Sequence, residues 1–151
     1  MKKTRLIDIL PEINKALDQG DTFSFMPNGI SMLPTIVGGR DTVTVKKPTD
    51  KLKKFDIILY RRKSGQFVLH RIIDLDSEKY ILCGDNEVYP EKNVEHNQII
   101  GVVTRYTRKG KIIEADSKKF ISDAKKRVNS RPYRQFVFRA KNKLKRVFKI
   151  K

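Results

Sequence analysis

Between Thr22 and Ala115 the chain is a succession of short apolar runs, each closed by a polar or glycine-containing turn, and this rhythm limits what it can fold into. Thr22-Phe23-Ser24-Phe25-Met26 and Thr42-Val43-Thr44-Val45 alternate with the period of two that lines one face of a strand. Phe55-Asp56-Ile57-Ile58-Leu59-Tyr60 is nearly continuous and reads as a buried strand. The polar turn Arg61-Arg62-Lys63-Ser64-Gly65 leads into a strand over 66–75, and Tyr80-Ile81-Leu82-Cys83 runs into Gly84-Asp85-Asn86. Residues 98–106 form a long strand, Lys109-Gly110 a hairpin turn, and 111–115 the return. Many short strands with turns between them predict a mainly β domain over 21–117, a small mixed or antiparallel barrel-like sheet assembly.

The two ends are helical in pattern. Residues 1–20 form an N-terminal segment whose Leu6, Ile9, Leu10, Ile13 and Leu17 recur at spacings of three and four. Pro11 weakens its first half, Gly20 stops it, and the helix is expected to cover one face of the core. Residues 118–151 form a basic tail. From Ser122 to Lys151 there are twelve Lys/Arg against Asp123 alone, which is +11 of the chain's net +17. Tyr133, Phe136, Val137, Ala140, Leu144, Val147 and Phe148 fall on one helical stripe. A basic face beside an aromatic-aliphatic one is the composition of a helix lying in a membrane interface, and Pro132 is expected to start it.

Charge and cysteine content narrow the class further. At 151 residues and 38% apolar content this is one domain with a real core. A net charge of +17 implies a polyanionic neighbour, an anionic membrane surface or nucleic acid. The single cysteine, Cys83, excludes an intramolecular disulfide, and no Cys/His cluster has zinc spacing, so no cofactor is expected. His96 lies in a polar stretch and reads as a surface residue. No segment reaches the ~18 consecutive apolar residues of a spanning helix. The basic start is followed by Asp8, Pro11, Glu12, Lys15 and Asp18, which leaves no signal-peptide core. The expectation is a cytoplasmic protein, peripheral on the inner membrane face.

Two segments carry candidate chemistry. Asn28-Gly29-Ile30-Ser31-Met32-Leu33-Pro34-Thr35 places a serine in a Gly-x-Ser-Met-x-Pro turn, and Val68-Leu69-His70-Arg71-Ile72-Ile73 follows with a histidine on an apolar strand. A serine hydroxyl is a poor nucleophile until a base within hydrogen-bond reach takes its proton, and neutral imidazole suits that task near pH 7. Each residue also has a plain structural reading: Ser31 as a turn residue, His70 as a satisfied core histidine, Asp85 as a hairpin-turn residue.

Taken in order with Gly84-Asp85-Asn86 and Ile99-Ile100-Gly101-Val102-Val103, these motifs make the chain resemble the signal peptidase I / LexA-like serine peptidase superfamily over roughly residues 22–108. The closer resemblance is to signal peptidases with a histidine base. It implies the superfamily's barrel-like β fold, Ser31 as nucleophile and His70 as general base, at a position where bacterial signal peptidases and LexA-like proteins have lysine. A histidine base needs an acid to fix its tautomer. The resemblance offers Asp85 first, with Glu91 second, because histidine-type relatives carry a further aspartate at about that distance. The oxyanion donor would be the Ser31 backbone N–H, with Gly29 where some relatives have a hydroxyl. Met32 is expected to line the cleft, and Asp41 and Asp56 to be structural, with Phe55 standing where the family usually has glycine.

Three functions follow. The first is a serine endopeptidase resembling signal peptidase I, cutting a leader or precursor peptide with small residues before the cut, and using the C-terminal tail in place of the usual membrane anchor. The second is a LexA-like self-cleaving regulator. Residues 1–30 hold neither Ala-Gly nor Cys-Gly and are too short for a helix-turn-helix domain, which speaks against it. The third is a non-catalytic basic module binding membrane or nucleic acid, on a peptidase-derived fold.

Overall fold

The computed structural model describes residues 5–149; Met1–Thr4 and Ile150–Lys151, the outer ends of the expected N-terminal segment and basic tail, lie outside the described residues. Helix α1 spans Leu6–Asp18. The Asp8 carboxylate accepts the Arg5 backbone N–H at 3.3 Å, which satisfies a donor outside the helix and puts negative charge at the positive end of the helix dipole. Pro11 sits within α1, where it removes one backbone N–H without ending the helix. Ile13 and Leu17, one turn apart, are buried, whereas Ile7 is exposed, so the helix docks through its second half. Gly20, at φ 82°, closes it in a backbone region that favours glycine.

Eight strands follow: β1 Phe23–Phe25, β2 Val43–Lys46, β3 Ile57–Arg61, β4 Phe67–Asp76, β5 Lys79–Cys83, β6 Glu91–Val94, β7 Ile99–Arg108 and β8 Lys111–Glu114. All neighbours pair antiparallel in the order β1-β2-β7-β3-β4-β5-β6, with β8 on β7. The protein is therefore a mainly β, eight-stranded antiparallel sheet with a helix at each end of the chain. The continuous apolar run of β3 is explained by burial on both faces. Ile57 and Leu59 enter one cluster with Ile13, Leu17, Met32, Ile36 and Phe120, while Ile58 and Tyr60 enter another with Ile72, Tyr80, Leu82 and Val94. Strands β7 and β8 join through Lys109 and Gly110, both at positive φ as a two-residue hairpin loop requires.

Helix α2 runs unbroken from Lys118 to Lys149, 32 residues and about 48 Å at the standard helical rise. Its start is set by Ser117, whose Oγ accepts the Phe120 N–H at 3.1 Å. The expectation that Pro132 starts the helix is thus corrected: Pro132 lies inside it. It cannot donate to the preceding turn, and beside that gap the Arg127 carbonyl accepts Ser130 Oγ at 3.2 Å and Arg134 Nη2 at 3.1 Å. Among the described residues no helix is long and apolar enough to cross a membrane.

Ile13 is fully buried against the sheet. Ile13→Ala is expected to cost about 2–5 kcal/mol, measured by urea denaturation; a change below about 0.5 kcal/mol, typical of exposed sites, would show that α1 does not cover the core.

Candidate active site

The loop between β1 and β2 carries Ser31. It is held at its base by Gly39 N–H donating to the Pro27 carbonyl at 2.9 Å, and from within by buried Met32 and Ile36. Gly38 packs so closely on the same loop that a Cβ there would lie 2.4 Å from the Gly29 carbonyl oxygen. Buried Asp41 accepts the Val37 N–H at 2.8 Å and pairs with Arg40. Burial pushes its carboxyl up, but those bonds outweigh it and leave the group below the usual range.

A second segment clamps the loop from outside. Asn86 donates its backbone N–H to the Ser31 carbonyl at 2.9 Å and its side-chain amide to the Ile30 carbonyl at 3.1 Å. Gly84 has no room for a side chain, since a Cβ would lie 2.5 Å from the Ser31 carbonyl oxygen. The motifs at 28–35 and 84–86 therefore meet in space.

His70 lies on β4 opposite Ile58 and is almost fully buried. Its Nδ1 is 3.3 Å from the Tyr60 hydroxyl, and its Nε2 is 3.5 Å from a Glu87 carboxylate oxygen. Tyr60 donates its proton to Glu91 at 2.6 Å, and Glu91 also accepts from Arg62 at 3.0 Å. Burial, then the bond to Glu91, pushes the Tyr60 phenol up, so it stays protonated. With its proton committed to Glu91, the Tyr60 oxygen faces Nδ1 as an acceptor, which assigns a proton to Nδ1. The bond to His70 holds the Glu87 carboxyl below its usual range against the opposing effect of burial.

Ser31, Met32, His70, Asn86 and Glu87 line one open cleft of about 430 Å³. Its wall includes Phe67–Leu69 of β4. That stretch pairs with β3 on one edge, whereas β5 joins β4 only from Arg71 onward, leaving 67–70 without a second strand partner among the described residues. The neighbours of the His70 nitrogens are Tyr60 and Glu87, so no Ser31–His70 hydrogen bond is formed. The Ser31 N–H has no backbone acceptor among the described residues and is free to serve as a donor.

Asp85 is not where the sequence expectation put it. Its carboxylate takes Arg71 Nε at 2.8 Å and Nη2 at 2.7 Å, and accepts the Thr35 hydroxyl. A bidentate guanidinium in a buried site occupies the carboxylate that was to orient His70. Glu91 reaches His70 only through Tyr60. The residue that sequence reasoning missed is Glu87. The signal for it was the turn itself, in which Glu87 N–H donates to the Gly84 carbonyl at 2.9 Å and brings Glu87 back toward β4. His96 bonds the Tyr80 hydroxyl through Nδ1 at 3.0 Å, away from the cleft. No group of three or more His, Cys, Asp or Glu suited to a metal ion is present among the described residues. The chain matches no protein-family model and no curated protein.

Arg71→Met strands a buried carboxylate and is expected to cost about 3–5 kcal/mol in urea denaturation. The double variant Arg71→Met, Asp85→Leu is expected to recover most of that loss; a double variant as unstable as the single one would refute the pairing. Glu87 gives a second check. Its carboxyl is held below the ordinary 4.5, so its contribution is present above that pH and is lost as pH falls through the lowered value. An NMR titration of the Glu87 side-chain carboxyl is expected to show a midpoint below 4.5 that moves up in His70→Ala.

Proposed function

We propose that this chain is a serine endopeptidase of the signal peptidase I / LexA-like superfamily, of the type with a histidine base, built on that superfamily's barrel-like β fold. The observation that carries the reading is the meeting of the resemblance motifs: Ser31 and His70, 39 residues apart in the chain, line one cleft beside a strand edge that has no partner among the described residues. A peptide lying extended along 67–70 would complete the sheet there through main-chain hydrogen bonds. That arrangement brings a scissile carbonyl to the serine loop without demanding a particular sequence from the backbone.

In this mechanism Ser31 Oγ attacks the carbonyl carbon while His70 takes its proton through Nε2. The oxyanion receives the Ser31 N–H. The new imidazolium is held at Nδ1 by the Tyr60 oxygen, with Tyr60 in turn anchored by Glu91 and Arg62, while its Nε2–H faces the reacting atoms. It then protonates the leaving amine, and water hydrolyses the acyl-enzyme by the reverse sequence. Entry into the cycle needs one exchange at Nε2: Glu87, which is partly exposed, moves off and Ser31 Oγ takes its place. Tyr60 acts as a positioning residue, and Asp85 supports the frame through Arg71 and Thr35. The substrate is a leader or precursor peptide with small residues before the cut. Self-cleavage gains no support, since the only Cys-Gly pair, Cys83-Gly84, lies buried against the serine loop.

The Glu87 contact at Nε2 favours one second reading, a binding module on a peptidase-derived fold. Peptide-library cleavage read by mass spectrometry separates the two. Cleavage by the unaltered chain is expected, with Ser31→Ala and His70→Ala each lowering kcat/KM by about 10⁴-fold or more. Tyr60→Phe is expected to lower kcat by about 10²-fold with KM little changed. Cleavage that persists in Ser31→Ala, or none at all by the unaltered chain, would overturn the peptidase reading.

A further inference from the structure

Helix α2 has two faces with opposite fates. One packs on the body of the protein: Phe120 and Ala124 are buried, Arg127 Nη2 donates to the Asp85 carbonyl at 2.8 Å, and Arg131 and Arg134 donate to the Val88 and Glu87 carbonyls. Phe138 continues this face and meets the edge of Tyr89 at 5.9 Å between ring centres. At 100° per residue, Tyr133, Phe136, Leu144 and Val147 fall on the opposite side, with Phe148 on its flank. They are exposed, Tyr133 and Phe148 each at 72%, and nothing among the described residues covers them. Five large apolar side chains along one solvent-facing stripe mark an interaction surface.

The charge around the stripe selects the partner. Lys141 and Lys145 lie on one side of it, Lys143, Arg139 and Arg146 on the other, and α2 holds no acid after Asp123. Tyr133, Val137, Ala140, Leu144 and Val147 alternate at spacings of four and three, as in a helix–helix seam. Yet Lys141 and Lys143 would stand at its flanks, where a second copy would set lysine against lysine. Phosphate binding alone would leave the aromatic stripe in water. A surface that takes apolar side chains below and cations above, and supplies negative charge along its whole length, satisfies both halves of the pattern.

We infer that the outward face of α2 docks on an anionic lipid bilayer, with Phe136, Leu144 and Phe148 in the acyl boundary and the flanking lysines at the headgroups. The inward face of the same helix grips the backbone of 85–88, so docking holds the loop that carries Asn86 and Glu87 about one helix diameter, ~10 Å, from the membrane surface. This inference is independent of the peptidase reading, because Ser31→Ala is expected to dock like the unaltered chain.

The test uses the full chain and vesicles of phosphatidylcholine with or without a quarter of phosphatidylglycerol. Flotation with the anionic vesicles is expected, weaker but still present at high salt, with little binding to phosphatidylcholine alone. Phe136→Ser, Leu144→Ser, Phe148→Ser together are expected to abolish the salt-resistant part. Lys141→Gln, Lys143→Gln, Lys145→Gln together are expected to weaken binding about 10²-fold, at about fivefold per cation near the surface. The chain contains no tryptophan, so Phe136→Trp gives a lone reporter whose emission is expected to shift to the blue on anionic vesicles, even if the multiple variants unfold. An unshifted reporter, binding to RNA but not to vesicles, or a dimer held by the stripe without vesicle binding would each overturn the inference.

Discussion

The Arg71–Asp85 ion pair sits where the serine loop, β4, the turn after β5 and α2 converge. Both side chains are almost fully buried, and removing two charges from water costs several kcal/mol per ion even after relaxation. The site offsets that cost by satisfying the groups on both sides. Arg71 gives two bonds to Asp85 and a third, at 2.9 Å, to the Phe55 carbonyl, and its guanidinium lies 5.3 Å over the Phe120 ring. Asp85 also accepts Thr35, and its backbone carbonyl takes Arg127. The serine loop, β4, the turn after β5 and α2 thus share one polar network. Buried Arg127 Nε has no partner, but the Arg71–Asp85–Thr35 part is fully bonded and losing a member there is costly, so the serine loop is positioned by a contact on its far side from the cleft.

Phe55 shows how a local strain can be held by such a network. It sits at φ 83°, in the region that favours glycine, and the resemblance noted above has glycine at this position. Its N–H donates to the Ile72 carbonyl at 2.8 Å while its carbonyl receives Arg71. Bonds on both sides of the residue fix the backbone in a conformation that phenylalanine alone would leave.

What was legible in the sequence follows from where period and burial coincide. The alternating β2 segment, the doubly buried β3 and the Lys109-Gly110 hairpin each carry a pattern that only one local structure satisfies. Strand β6, Glu-Lys-Asn-Val, gave no such signal, because it is a short outer strand with one buried side chain. The length of α2 was obscured by Pro132, whose usual meaning is a helix start; side-chain donors near the gap and the packing of Phe120 and Ala124 before it keep the helix whole. At the site, Ser31 and His70 stood out because residue type and motif agreed. The carboxylate did not. Asp85 and Glu87 lie two residues apart in one tight turn, where no periodicity says which points inward. The answer came from Arg71, since a buried guanidinium takes the nearer carboxylate and leaves the other to the cleft.

The surroundings of His70 bear on what a buried histidine is for. A histidine that only fills a core needs one donor and one acceptor, because neutral imidazole offers one of each. Here both ring nitrogens face oxygen that accepts: the Tyr60 oxygen, whose own proton goes to Glu91, and the Glu87 carboxylate. Two acceptors leave Nε2 no donor partner, so Nε2 can present a lone pair to a serine hydroxyl only once Glu87 has moved away. The two are also unequal in mobility. Tyr60 is buried between strands, whereas Glu87 is partly exposed at the cleft. Under the peptidase reading proposed above, the fixed partner would hold the ring in place while the movable one yields Nε2 to the serine.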